Sequence, residues 1–245
     1  MINGNDGGIF KTQDVFKDTV AWESLNNGYN TTQLYTVAIS NNANSKLLQG
    51  GFQDNGSRLT FSDNTDATWN MPFNGDGSYA GIADNEEDFY LTIQRGVMYK
   101  MKLDSNANRL AFQRMDPASC DSNNYMWMNP MEMDANDDNI MFWAEGNKLW
   151  RNNNLDNIIY NSSHQKSDFG WEMFSDTLYP PSLKISALSS SLDPPDILYV
   201  GTQNKRIYRV DNASIGNSIG GNLAINTTGN LAPSSSYCTD IAINP

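Results

Sequence analysis

Ile9-Phe10-Lys11, Met98-Tyr99-Lys100, Leu149-Trp150-Arg151 and Ile207-Tyr208-Arg209 each read apolar, aromatic, basic. Each follows a turn of glycine or polar residues: Gly7-Gly8, Arg95-Gly96, Gly146-Asn147-Lys148 and Asn204-Lys205-Arg206. A strand that recurs after a recurring turn is a repeated β unit.

Three further columns run in register with it. Trp22-Glu23-Ser24-Leu25, Trp69-Asn70-Met71-Pro72, Phe112-Gln113-Arg114-Met115 and Trp171-Glu172-Met173-Phe174 share an aromatic followed by alternation, a strand signature. Tyr35-Thr36-Val37-Ala38-Ile39, Tyr79-Ala80-Gly81-Ile82, Met131-Glu132-Met133, Ile185-Ser186-Ala187-Leu188 and Ile241-Ala242-Ile243 are apolar strands that run into polar turns. Their last residues recur at spacings of 43 to 55. Leu47-Leu48, Phe89-Tyr90-Leu91, Ile140-Met141-Phe142-Trp143 and Ile197-Leu198-Tyr199-Val200 are short and apolar on both faces, as strands buried on both sides are.

Four strands repeating every ~40 to 50 residues predict an all-β fold, a β-propeller of four-stranded antiparallel blades. A β-sandwich is the competitor, but it would not hold four columns in matched register. Helical periodicity is nearly absent, and Asn, Gly and Ser punctuate throughout. The expected organisation is one propeller domain, or a fragment of one, over 1–245. It has a partial blade at 1–25, blades near 35–72, 79–115, 127–174 and 185–232, and a partial blade at 238–245. The fourth strand within Asn212 to Ser236 is the least distinct. The ends could meet and share a closing blade. The favoured expectation is instead one piece of a longer polypeptide, because Ile9-Phe10-Lys11 lies too close to Met1 for a complete blade to precede it.

The chain has 245 residues, 39% of them hydrophobic and 11% aromatic, enough to build a core. Only 18% are charged, yet the formal net charge is -12. Such a surface repels nucleic acid and anionic membrane, so neither is an expected partner. No apolar run approaches the ~20 residues of a membrane span, and no signal peptide is visible before Asn3-Gly4-Asn5. Cys120 and Cys238 are too few for a disulfide scaffold and fall in different repeats, which leaves their pairing open. The single His164 sits in a polar stretch and reads as a solvated loop residue.

Gly4 to Thr12, Leu25-Asn26-Asn27-Gly28 followed by Thr32 to Ala38, Gly50 to Gly56 and Ile197 to Thr202 resemble the Asp-box (BNR-like) propeller repeats. The likeness is to large secreted propeller proteins of Bacteroidota and, more distantly, to xyloglucanase and sortilin-type propellers. It covers most of the chain. The box reads Ser/Thr-x-Asp-x-Gly-x-Thr-Trp. Ser62-Asp63-Asn64-Thr65-Asp66-Ala67-Thr68-Trp69 keeps its Ser, Thr and Trp, with Asn64 and Asp66 in place of Asp and Gly. Thr12-Gln13-Asp14 keeps the start, with Trp22 three residues late. The resemblance implies a structural turn, with a carboxylate accepting backbone N–H bonds and a Trp packed between strands. It does not imply a catalytic device.

No set of residues stands out as catalytic, cofactor-binding or metal-binding. Asp134-Ala135-Asn136-Asp137-Asp138 spaces oxygen side chains as a calcium loop does, but lacks its sixth-position Gly and its later Glu. A hairpin turn is the favoured reading, and an inter-blade connection is favoured for Asn74-Gly75-Asp76-Gly77-Ser78. No cofactor is expected beyond a possible structural calcium. Glycoside hydrolysis would need two facing carboxylates, and Asp6, Asp54 and Asp76 are the candidates. A sialidase would need three clamping arginines, and the Arg-Ile-Pro motif marking the first is missing. Tyr125, Trp127 and Trp143 could stack on sugar rings if exposed. Lys11, Lys100, Arg151 and Arg209 end the recurring strand. An edge-facing cation that discourages strand addition is favoured there over a ring around a channel. Asn30, Asn55, Asn161, Asn212 and Asn226 begin Asn-x-Ser/Thr sequons.

The expected function is therefore a non-enzymatic extracellular or cell-surface propeller module, a binding or assembly platform in a larger protein. Its expected partners are a protein or polysaccharide at the blade-end loops and the remaining blades of a longer polypeptide or assembly. The alternative is a fragment of a carbohydrate-active propeller enzyme.

Overall fold

The structure, a computed structural model, describes residues 1–5, 7–28, 32–219 and 238–243. Two compact units divide the chain, Met1–Gln33 and Leu34–Pro245. In the first, β1 (Ile2–Asn5), β2 (Gly8–Lys11) and β3 (Glu23–Ser24) form an antiparallel sheet in chain order. Its tight turn depends on Gly8 at φ +114, where a Cβ would lie 2.1 Å from the Asn26 side chain. That side chain in turn accepts the Ile9 N–H at 2.7 Å and donates to the Gly7 carbonyl at 3.0 Å.

The second unit is a succession of antiparallel meanders. The first sheet is β4 (Leu34–Ile39), β5 (Leu48–Phe52), β6 (Gly56–Thr60) and β7 (Asn70–Phe73). The next is β8 (Gly77–Ile82), β9 (Asp88–Ile93), β10 (Val97–Leu103) and β11 (Arg109–Arg114). The third is β12 (Met131–Met133), β13 (Met141–Glu145), β14 (Lys148–Asn152) and β15 (Trp171–Met173). Last come β16 (Ile185–Ser190), β17 (Ile197–Thr202) and β18 (Ile207–Asp211), three-stranded among the described residues. Neighbours in the chain are neighbours in each sheet, as in propeller blades. The recurring apolar-aromatic-basic triplet falls on β2, β10, β14 and β18. The three triplets of the second unit are each the third strand of their sheet.

Consecutive sheets stack face to face, and each second strand is buried between them. The interface closes because small residues admit the next backbone. A Cβ on Gly51 of β5 would stand 1.9 Å from the Ser78 carbonyl of β8. A Cβ on Gly201 of β17 would meet the Cys238 sulfur at 2.6 Å. Residues 238–243 form no strand among the described residues, yet Cys238 donates its N–H to the Thr202 carbonyl at 3.1 Å. Between the third and fourth sheets lie Phe142, Leu149, Phe174, Leu188, Leu198 and Val200. Each such buried Leu or Phe contributes about 1.5–3 kcal/mol.

One expectation about side chains is corrected. Lys100 and Arg151 are neither a channel ring nor exposed edge cations, being 1% and 4% exposed. Lys100 Nζ pairs with Asp88 at 2.9 Å and donates to the Leu155 carbonyl of the next sheet's connection at 2.8 Å. Arg151 donates to the Ala213 carbonyl at 2.8 Å and to Gly216 O, and also pairs with Glu172. A third-strand cation thus clasps the turn that follows the third strand of the neighbouring sheet. His164, expected as a solvated loop residue, is exposed and outside the strands, and it also touches the sheet. Its Nδ1 lies 2.8 Å from the Tyr99 hydroxyl and its ring packs 4.7 Å from Phe112. Cys120 and Cys238 are unpaired thiols. Asp6, Asn30, Asn226 and most of the indistinct strand in Asn212 to Ser236 lie outside the described residues.

Candidate functional site

The acids proposed for hydrolysis are brought together only in part. Asp54 sits at φ 57 in the β5–β6 hairpin, and its backbone N–H donates to Asp76 Oδ1 at 2.7 Å. The Asp76 N–H in turn donates to Gln94 Oε1 at 3.0 Å, and Gly56 N–H to the Gly75 carbonyl at 2.8 Å. Asp76 is therefore a cap that ties one hairpin to the connection before the next sheet. Burial, and then the Asp76 and Asp54 charges, raise the Tyr35 hydroxyl above its ordinary pKa.

The calcium-like stretch is the β12–β13 turn. Asp134 Oδ1 accepts the Asn136 N–H, Asp137 Oδ1 accepts the Asn139 N–H, and Asp138 Oδ2 accepts the Asp84 N–H. Its carboxylates are engaged by backbone and by the neighbouring sheet. At Ser62–Trp69, Asn64 Oδ1 accepts the Asp66 N–H at 3.0 Å, so Asn does the capping where an Asp box has Asp. Trp69 packs edge-on against Phe52, with ring centroids 5.7 Å apart.

Of the three aromatics considered for stacking, Tyr125 and Trp143 are buried against each other, centroids 5.4 Å apart. Trp127 alone of the three is open, at 49% exposure. Its position is fixed from the adjacent turn. Arg95 donates its N–H to the Trp127 carbonyl at 2.8 Å and lays its guanidinium 5.5 Å from the indole centroid. Arg95 holds φ 61 in that turn, so the backbone aims it.

Sequence reasoning missed a cavity of about 650 Å³ at the first strands of the four sheets, joined by residues 239–241. Tyr35 to Ile39 of β4 all line it. Val37 and Ile39 are 56% and 68% exposed. Its carboxylates are Glu132, Asp134, Asp138 and Asp240. Ser190 bridges two of them, its N–H reaching Glu132 Oε1 at 2.9 Å and its hydroxyl Asp134 Oδ2 at 3.0 Å. Burial, and then the Asp134 and Asp240 charges, push Glu132 up to about 7. The strand pattern marks Tyr35–Ile39, Tyr79–Ile82 and Met131–Met133 as first strands. Nothing in one sequence says that the faces of separate repeats converge.

Among the described residues no group of three His, Cys, Asp or Glu is placed to hold a metal, and no helix is long and apolar enough to cross a membrane. No family model matches the chain, and no curated protein matches it. Among solved structures, it is similar to the β-propeller domain of Cps50 (Swd1) of Myceliophteria thermophila, at 9% identity and a TM-score of 0.48. The match covers 76% of this chain and 54% of that one, so the chain spans about half the length of that structure.

Proposed function

We propose that the chain is a non-enzymatic binding platform, a propeller module of a secreted or cell-surface protein. It holds a protein or polysaccharide partner through loops at one end of its sheets. The observation that carries this reading is Trp127, half-exposed and oriented by Arg95 from a neighbouring turn. A pre-positioned aromatic with a cation at its face suits a partner's apolar surface or a sugar ring, and it loses little entropy on binding. The placement of Asp54 and Asp76 in turns supports binding over hydrolysis. The strongly acidic composition and the resemblance to secreted Asp-box propellers support the setting. The test is a glycan array together with capture from the native surface. A saturable partner is expected, weakened about 30-fold in Trp127→Ala, as for the loss of a binding hot spot. Empty results from both would overturn the reading.

A further inference from the structure

We propose that the cavity at the first strands binds an organic cation, an ammonium or guanidinium group on an aliphatic stem. This goes beyond the Trp127 surface and uses different residues. The lining holds four carboxylates and no Lys, Arg or His. Asp134 spends both oxygens on Ser190 and Asn136, but Glu132 uses only Oε1, leaving Oε2 without a partner among the described residues. The charges that raise Glu132 are carboxylates of its own sign, Asp134 and Asp240. A cavity that concentrates one sign of charge attracts the other.

Size and spacing choose the kind of cation. Among the described residues no three carboxylates converge as a metal requires. A volume of about 650 Å³ lies in the range of organic ligand sites. The walls also offer apolar surface that a stem could cover. Val37 and Ile39 stand exposed on β4. Tyr35 and Tyr79 also line it, and aromatic rings attract ammonium and guanidinium groups. A lysine or arginine side chain of a peptide and a free diamine share this chemistry.

Calorimetric titration of the intact chain tests it. The probes are Nα-acetyl-lysine methylamide, Nα-acetyl-arginine methylamide and 1,5-diaminopentane, with Nα-acetyl-norleucine methylamide as the neutral isostere. The cations are expected to bind at least about tenfold tighter than norleucine, and Glu132→Gln with Asp240→Asn to erase about that factor. Tighter binding of the amino-acid probes assigns a peptide source, and tighter binding of the diamine a small molecule. Affinity should rise from pH 6 to 8 as Glu132 ionises. The groups facing it are the Asp134 and Asp240 carboxylates, the Tyr79 hydroxyl and the Ser190 N–H. Equal binding of norleucine overturns the proposal, as does unchanged affinity in the folded double variant. If that variant does not fold, wild-type binding that ignores added salt overturns it. Either null leaves the Trp127 reading standing, because that surface is probed separately.

Discussion

Lys100 shows how one residue can join two sheets. Its ammonium is fully buried between Asp88, the Leu155 carbonyl and the Tyr160 ring, 5.2 Å away. Arg151 repeats the arrangement one sheet further on, over the Phe174 ring at 5.4 Å. In the first of these sheets β6 carries Leu59 instead, and it packs with Ala107 in the following sheet's turn. The clasp is thus polar twice and apolar once. Breaking the polar form leaves a buried charge unpaired. Lys100→Met should cost about 3–5 kcal/mol in urea denaturation. A double variant with Asp88→Leu should lose clearly less than the two single losses added, because no lone charge remains. Additive losses would show that the pair is not coupled.

At the scale of elements, the sheets depend on close backbone approach. Gly51→Ala forces a methyl onto the Ser78 carbonyl of the next sheet, so the sheets must part. The expected cost is about 3 kcal/mol, the upper end for overpacking. That corresponds to a thermal midpoint lower by roughly 6–12 °C. Gly4 in β1 has nothing within 4 Å of its would-be Cβ, and Gly4→Ala should leave the midpoint unchanged within about 1–2 °C. The strands themselves were legible in the chain. Val, Ile, Leu and aromatic runs alternate with Gly and Asn turns, and the triplet at Met98, Leu149 and Ile207 marks a third strand each time. The site was much less so. Trp127, Trp143 and Tyr125 look alike as sequence, yet packing buries two and leaves one open. Likewise Lys100 reads as an edge cation until the Leu155 carbonyl of another repeat meets it. Burial between repeats is a long-range property, and local periodicity does not encode it.

In the second unit, Glu132 of β12, Asp134 and Asp138 of the turn after it, and Asp240 line one cavity with no Lys, Arg or His among its described lining residues. Glu132 records the consequence. Its folded pKa of about 7 lies above its ordinary 4.5, so between those values the folded state holds more protons than the unfolded one. Stability is therefore predicted to fall as pH rises from about 4.5 to 7, by at most about 3 kcal/mol from this group. Glu132→Gln should flatten that slope in denaturation measured across pH. A slope unchanged by the substitution would show that the cavity charge is not what drives it.

The platform itself is tested most directly by one binding measurement made in parallel on wild type and Trp127→Ala, with glycans and native-surface proteins offered to both. The predicted result is a saturable partner that wild type holds intact and that Trp127→Ala, with its fold preserved, binds about 30-fold more weakly. Hydrolysis of an offered glycan, or a partner held equally by both proteins, would contradict it.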